Sequence, residues 1–254
     1  MSYSDDFKSS FYGGLDVGYL LNDAINLYVS ANSASRIPTF TDLFFVNSQL
    51  QGNPLLKPEQ SQTIELGTKI NKSQLYFTAD IYYRMGKNVI DWVKMTSTSA
   101  KYEAMNLSSI NAFGADISAE YRFKDISIRK VSVAYSYLTL DKTIVGVDSK
   151  YALDYLKNKF TINVEHSIFN NLSASWKCSY MERSGSFDAN TVLGGTAIIQ
   201  NYRPYFLLDT RILWADKKFD LFLDVNNILN SSYADYGGLT QPGINFNAGV
   251  RLKL

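Results

Sequence analysis

Residues 35–60 read SRIPTFTDLFFVNSQLQGNPLLKPEQ. The stretches on either side alternate apolar and polar residues, which is typical of strands with one apolar and one wet face. Proline has no N–H to donate to a sheet ladder, so Pro38 and Pro54 belong outside the paired strands. Pro58 and Glu59 then lead into the next strand. The sequence therefore predicts two regular strands joined by a long connection with a structure of its own.

The alternation with period two extends along the whole chain, and no helical period of comparable strength occurs. We predict about eleven strands of roughly 10 residues, the length that a tilted strand needs to cross a bilayer. They lie near 8–21, 24–34, 61–71, 74–85, 111–123, 130–142, 158–169, 172–183, 205–215, 218–229 and 244–254.

The predicted connections alternate between short and long. Short ones fall at 21–23, 71–73, 123–130, 170–171 and 215–218. Long ones fall at 35–60, 86–110, 143–157, 184–204 and 230–243. Outer-membrane barrels sort their connections in this way, whereas a soluble sandwich has shorter strands and no reason for such sorting. The fold class predicted is all-β, an antiparallel transmembrane β-barrel.

Composition narrows the functional classes. A net charge of +1 offers no electrostatic reason to expect a nucleic-acid partner. One cysteine, Cys178, excludes an internal disulfide, and with the single His166 it argues against a Cys/His zinc site. We predict no metal and no cofactor. Residues 1–14 lack the basic and apolar regions of a signal peptide, and no window approaches 18 consecutive apolar residues.

Two motifs resemble the TonB-dependent outer-membrane receptor family. In the first, Arg36-Ile37-Pro38 ends a strand, and residues 53–59, NPLLKPE, open the next strand, which carries Glu65-Leu66-Gly67. In the second, residues 227–233, NILNSSY, precede residues 242–246, PGINF, at the entry to the last strand. The motifs occur in the order that the family shows. The terminal Leu254 departs from the aromatic residue that usually ends such barrels.

The resemblance implies a barrel of 22 strands around a plug domain, of which the predicted strands are about half. We therefore expect residues 1–254 to be the C-terminal part of such a barrel, without its plug, its energy-coupling box and its N-terminal strands. Unpaired backbone groups are costly in hydrocarbon and exposed edges aggregate in water. An isolated half-barrel is therefore not expected to insert or to transport.

The resemblance also implies a function, namely energy-coupled uptake of a scarce ligand across the outer membrane of a Gram-negative bacterium. The implied ligand is a ferric siderophore or cobalamin, with haem as a lesser option. The implied partners are outer-membrane lipid, the missing plug and barrel half, and the TonB energy-transducing complex. The alternative is a passive porin-like channel or a surface adhesin barrel. No enzyme is predicted, because the lone His166 falls in phase with the outward residues, where no Ser-His-Asp triad can form.

Ligand contacts in the family come from long connections and upper lumen-facing residues. The candidates here are Arg36, Phe40, Phe44, Phe45, Trp92, Tyr102, Phe187, Tyr202, Tyr233 and Tyr236. Loop packing is the other role open to the aromatic residues. Arg36 could meet an anionic ligand, but pairing with a lumen carboxylate is the favoured interpretation.

Overall fold

A computed structural model describes residues 12–95, 101–142, 147–149, 155–189, 198–235 and 238–253. In chain order the elements are β1 (Gly13–Asn22), β2 (Ile25–Arg36), α1 (Phe40–Phe44), β3 (Leu50–Gln51), β4 (Glu59–Lys72), β5 (Leu75–Met95), β6 (Tyr102–Arg122), β7 (Ile128–Lys142), β8 (Val147–Ser149), β9 (Tyr155–Phe169), β10 (Leu172–Ser184), β11 (Ser186–Asp188), β12 (Ile199–Asn201), β13 (Tyr205–Ala215), β14 (Phe219–Asn226), β15 (Ala234–Asp235), β16 (Leu239–Thr240) and β17 (Asn245–Leu252). No helix in these ranges is long and apolar enough to cross a membrane.

Eleven long strands form one continuous antiparallel sheet, which confirms the predicted fold class and number of crossing strands. Their order is β1-β2-β4-β5-β6-β7-β9-β10-β13-β14-β17, so every strand pairs with its predecessor in the sheet. The sheet is a partial barrel that does not close, and within the described part of the chain β1 and β17 remain its edges.

The register places the outward apolar residues of neighbouring strands side by side on one face. One row across six strands is Phe77, Ala119, Val133, Ile162, Cys178 and Leu208. The next row, one residue along each strand, is Tyr76, Glu120, Ser132, Asn163, Lys177 and Asp209. A slip of one residue would exchange the two sets, so this alternation fixes the register. The polar row faces the concave side, where a complete barrel has its lumen.

Charged residues on the concave face pair across neighbouring strands. Lys130 Nζ lies 2.7 Å from Glu165 Oε1 and 3.8 Å from Glu120 Oε2. Lys253 Nζ lies 2.6 Å from Asp220 Oδ1. Such pairs neutralise charge on the wall without requiring any ligand.

The prediction of a long connection at 86–110 is wrong. Strands β5 and β6 each have 21 residues and pair as far as Val93 opposite Glu103, so only residues 96–101 separate them. The prediction ended both strands at the length of a bilayer crossing. The chain continues as a strand because Ile90, Trp92 and Val93 bury their side chains against other elements. Short hairpins also occur within two predicted long connections, β11 with β12 and β15 with β16.

Candidate functional site

Residues 37–58, here called the corner segment, begin with a capped turn of helix. The Thr39 hydroxyl accepts a hydrogen bond from the Asp42 N–H at 3.1 Å, and Asp42 Oδ2 accepts one from the Thr39 N–H at 3.0 Å. This reciprocal capping box satisfies two N–H groups that a five-residue helix leaves free. The sequence Thr-x-x-Asp after Pro38 therefore gives the corner segment a defined start.

Arg36 ties the two ends of the corner segment together. Its Nε donates to Glu59 Oε2 at 2.8 Å, its Nη2 donates to Glu59 Oε1 at 2.7 Å, and its Nη1 lies 3.5 Å from Asp42 Oδ2. The Glu59 hydrogen bonds are the main reason that the pKa of Arg36 is raised. Glu59 Oε1 also accepts the Ile90 N–H at 2.6 Å. The arginine is thus engaged by carboxylates, as the favoured interpretation expected.

A small apolar core holds the corner segment on the extended parts of β5 and β6. Its buried members are Leu43, Leu56, Ile90, Trp92 and Ala104. Gly52 passes so close that a Cβ there would lie 2.9 Å from the Leu43 backbone. Asn106 accepts the Lys57 N–H at 2.7 Å and donates to the Lys57 and Asn88 carbonyls. Packing and hydrogen bonds together give the corner segment a defined conformation.

The core divides the predicted ligand contacts into two sets. Trp92 is 7% exposed, and Tyr102 packs partly buried against the same core. Phe40, Phe44 and Phe45 remain 73%, 47% and 42% exposed, and the Phe40 and Phe44 rings lie 5.1 Å apart. Three aromatic faces of the corner segment are therefore open to a ligand, whereas the other two rings are occupied by packing.

A second group of side chains meets at the same end of the sheet. We call it the mouth cluster, and its members are Arg183, Phe187, Tyr202, Tyr205, Tyr233 and Asp235. The Phe187 and Tyr202 rings lie 4.9 Å apart, and the Arg183 guanidinium lies 5.7 Å from the Tyr202 ring centroid. The Tyr205 and Tyr233 rings stack at 4.2 Å. Arg183 also pairs with Asp235.

The mouth cluster joins the connections that follow β10 and β14. The Tyr202 hydroxyl accepts the Gly238 N–H at 3.0 Å, which links the connection before β13 to the one before β17. Burial, and then the nearby Asp235 and Asp209 carboxylates, raise the pKa of Tyr233. The phenol therefore stays neutral at ordinary pH. Tyr202 and Tyr205 are only 8% and 7% exposed, so the rings that the cluster leaves partly open are those of Phe187 and Tyr233, which suit aromatic or apolar groups.

Three of the predicted ligand contacts, Phe187, Tyr202 and Tyr233, come together in the mouth cluster. Tyr236 lies outside the described residues. Sequence reasoning missed Arg183, Tyr205 and Asp235 as members. The available signal was their position, since Arg183 and Tyr205 stand where β10 ends and β13 begins. Within the described ranges no group of three or more His, Cys, Asp or Glu residues could hold a metal ion.

Comparisons with known proteins agree with this architecture. A family model described as TonB dependent receptor-like, beta-barrel matches residues 2–228. A vitamin B12 transporter of Photobacterium profundum is 23% identical over 196 residues, which are 76% of this chain and 28% of that protein.

Two solved structures share the fold at low identity. The copper transporter OprC superposes with a TM-score of 0.75 at 15% identity, over 94% of this chain and 38% of its own. The siderophore receptor PirA from Acinetobacter baumannii superposes with a TM-score of 0.72 at 15% identity, over 97% and 41%. The chain thus spans less than half the length of each of these relatives.

Proposed function

Because the chain belongs to the TonB-dependent receptor-like β-barrel family, we propose that it serves energy-coupled uptake of a scarce ligand across a Gram-negative outer membrane. Residues 1–254 are the C-terminal part of the receptor barrel in this proposal. The remaining strands and a plug domain complete it. The open sheet of eleven strands and the greater length of the relatives support this arrangement.

The observation that carries the proposal is the mouth cluster at the long-connection end of the sheet. Phe187 and Tyr233 are partly exposed, pack on the buried rings of Tyr202 and Tyr205, and come from two different connections. A large ligand gains affinity from such flat, rigid side chains at little cost in conformational entropy. The exposed Phe40, Phe44 and Phe45 extend the aromatic surface on another connection at the same end.

The ligand class proposed is a ferric siderophore or cobalamin. The relatives include a vitamin B12 transporter and a siderophore receptor, which supports both options without choosing between them. Both ligands are large and combine apolar with polar surface, and aromatic and arginine side chains are frequent anchors for such surfaces.

In the proposed mechanism the mouth of the barrel, the plug and the barrel wall have different roles. Ligand binds at the mouth, the TonB complex draws on the plug, and the ligand then passes to the periplasm. The barrel wall breaks no bond. Its part is to stay rigid while the plug moves, and the cross-strand ion pairs such as Lys130 with Glu165 serve that rigidity.

Uptake by living cells tests the proposal with the protein in its natural context. The gene is deleted in the source bacterium and restored as wild type, Tyr202→Ala, Tyr233→Ala or Tyr76→Ala, and uptake of labelled cobalamin and a labelled ferric catecholate is measured. Tyr76 is an exposed tyrosine at the opposite end of the sheet and serves as the matched control.

We expect uptake of one of the two ligands to require the gene. For that ligand, the Tyr202→Ala and Tyr233→Ala variants should need roughly tenfold more ligand for half-maximal uptake, as for loss of a binding hot spot. The Tyr76 variant should behave as wild type. Uptake of both ligands that is independent of the gene contradicts the proposal. So does a purified chain that is a monodisperse monomer without detergent, because a membrane barrel segment needs an apolar partner.

A further inference from the structure

The second sequence motif, residues 227–233, forms a turn of its own at the start of the connection between β14 and β17. Asn227 and Asn230 have φ angles of 51° and 49°, in the left-handed region that asparagine tolerates better than most residues. The Asn230 N–H donates to the Asn227 carbonyl at 2.8 Å. We call Asn227, Asn230 and Ser231 the asparagine clamp, because their side chains tie this connection to its surroundings.

The Asn227 amide ties the two ends of the connection to each other. Its Oδ1 accepts the Ser231 N–H at 2.9 Å, and its Nδ2 donates to the Ser231 carbonyl at 2.9 Å and to the Pro242 carbonyl at 3.2 Å. The residue is 4% exposed, so these bonds form away from water. A buried amide with this many partners fixes the backbone around it, and it is too enclosed to contact a ligand itself.

Asn230 closes the same connection nearer to β17. Its Oδ1 accepts the Ile244 N–H at 3.0 Å, one residue before the strand begins. A Cβ at Gly243 would collide with that oxygen, so the glycine leaves room for the amide. The motif and the PGINF segment that follows it, residues 242–246, are therefore two halves of one joint.

The clamp is also anchored on β13, the strand that begins with Tyr205. The ladder of β13 with β14 covers only the half of β13 nearer the short turn. Beyond the ladder, Asp209 Oδ1 accepts the Asn227 N–H at 2.8 Å, and the Ser231 hydroxyl donates to the Phe206 carbonyl at 2.7 Å. The clamp thus occupies the edge of β13 up to the residue next to Tyr205.

These bonds place Tyr233 over Tyr205. Tyr233 follows Ser231 by two residues and Tyr205 precedes Phe206 by one, so the bond between Ser231 and Phe206 brings the two backbones together where the rings meet. The ring centroids lie 4.2 Å apart, with planes inclined by 25°. Tyr205 is 7% exposed, whereas Tyr233 keeps part of its ring open. An open ring that is held in advance contributes affinity without the entropy cost of ordering a long connection.

We propose that Asn227 is a positioning residue of the ligand site, which holds the connection before β17 so that Tyr233 lies on Tyr205 with its open side toward the ligand; the inference rests on the proposed function. Asn227 acts through Tyr233 and touches no ligand. A turn that merely ended β14 would need neither the bond to Pro242 nor the anchor on Phe206, because β14 has already ended before these contacts form.

Ligand affinity in a double-mutant cycle tests the inference on the detergent-purified full-length receptor. Wild type, Asn227→Gly, Tyr233→Ala, the double variant and Asn88→Gly are titrated with cyanocobalamin and with a ferric catecholate. Glycine at position 227 keeps the left-handed backbone without strain and removes only the amide. Asn88 on β5 also has a left-handed backbone, with a φ angle of 53°, and β5 lies six strands from β14 in the sheet order, so Asn88→Gly is the matched control.

We expect Tyr233→Ala to bind ligand roughly tenfold more weakly and Asn227→Gly about fivefold more weakly, with Asn88→Gly unchanged. The double variant should be no weaker than Tyr233→Ala, because the amide acts only through that ring, whereas independent effects would multiply to about fiftyfold. Multiplied effects, wild-type affinity in Asn227→Gly, or an equal loss in Asn88→Gly overturns the inference. If far-UV circular dichroism shows that Asn227→Gly has lost strand content, Asn230→Gly, which removes the bond to Ile244, takes its place in the cycle.

A measurement without ligand separates this inference from the proposed function. Near-UV circular dichroism reports the fixed packing of aromatic rings, and the difference between wild type and Tyr233→Ala gives the signature of the stacked pair. We expect Asn227→Gly to lose the same signature and Asn88→Gly to keep it. If the wild type binds neither ligand, the proposed ligand class fails, yet loss of the signature in Asn227→Gly still supports the clamp. A signature retained in Asn227→Gly overturns it.

Discussion

The corner segment and the mouth cluster lie at the same end of the sheet and use similar residues, yet they are stabilised differently. The corner segment is held by contacts that are mostly local or involve one neighbouring hairpin, with a cap at Thr39 and a buried core around Leu43. The mouth cluster depends on rings from two connections that meet around Tyr202. A conspicuous sequence motif thus identifies a structural joint, whereas the proposed ligand surface is assembled from residues that are distant along the chain.

The largest effect on stability is expected when the apolar core of the corner segment is disrupted. Leu43→Ala removes a side chain that is 3% exposed and should cost about 2–5 kcal/mol of the corner segment's stability, as for other buried leucines. Urea-dependent proteolysis within residues 37–58 measures this change. Leu55→Ala is the control, because Leu55 is 87% exposed and its truncation should change stability by less than about 0.5 kcal/mol. Similar losses in the two variants would contradict the assignment of the core.

Tyr202→Ala should separate the two regions. It removes the ring that contacts Phe187 and Arg183, so ligand affinity should fall roughly tenfold, equivalent to about 1.4 kcal/mol. Proteolysis of the corner segment should not change. Tyr202→Phe, which keeps the ring and loses only the acceptor for the Gly238 N–H, should have a smaller effect. An unaltered affinity in the alanine variant would place the ligand away from the mouth cluster.

Arg36→Ala should lower the free energy of unfolding of the corner segment by about 1 kcal/mol. This lies in the upper part of the range for partly exposed ion pairs, because the contact between Arg36 and Glu59 is bidentate. The measurement is again urea-dependent proteolysis, paired with ligand titration. We expect stability to fall and affinity to stay constant. If affinity falls while Arg36→Lys restores it, the arginine meets an anionic ligand and its role in the corner segment is secondary.

The smallest effect is expected for Phe40→Ala. The ring is 73% exposed, so corner stability should change by less than about 0.5 kcal/mol. Ligand titration then decides whether the aromatic surface of the corner segment is used. A drop in affinity without a drop in stability would extend the binding surface from the mouth cluster to the corner segment, and no drop would confine it to the mouth.

Eleven crossing strands and most of their limits could be predicted, because alternation with period two is a local property of the chain. The upper parts of β5 and β6 could not. Residues 86–95 of β5 and 102–110 of β6 resemble a connection once a bilayer length has been assigned, and only the packing of Ile90 and Trp92 against Leu43 explains why the ladder continues. Phe187, Tyr202 and Tyr233 lie together at the long-connection end of the sheet, an association that was not predicted, and their role as ligand contacts stays a prediction.

The sequence by itself determined the antiparallel sheet, its two unlike faces and the family, since these follow from alternation, turn residues and two motifs read along the chain. Only the tertiary structure decided which aromatic residues are occupied and which are free. Trp92 is buried and Phe40 is exposed although both belong to aromatic-rich connections. Arg183, Tyr202 and Tyr233 meet although they are separated along the chain. The physical reason is that burial and ring contacts depend on distances across strands, which no local pattern encodes.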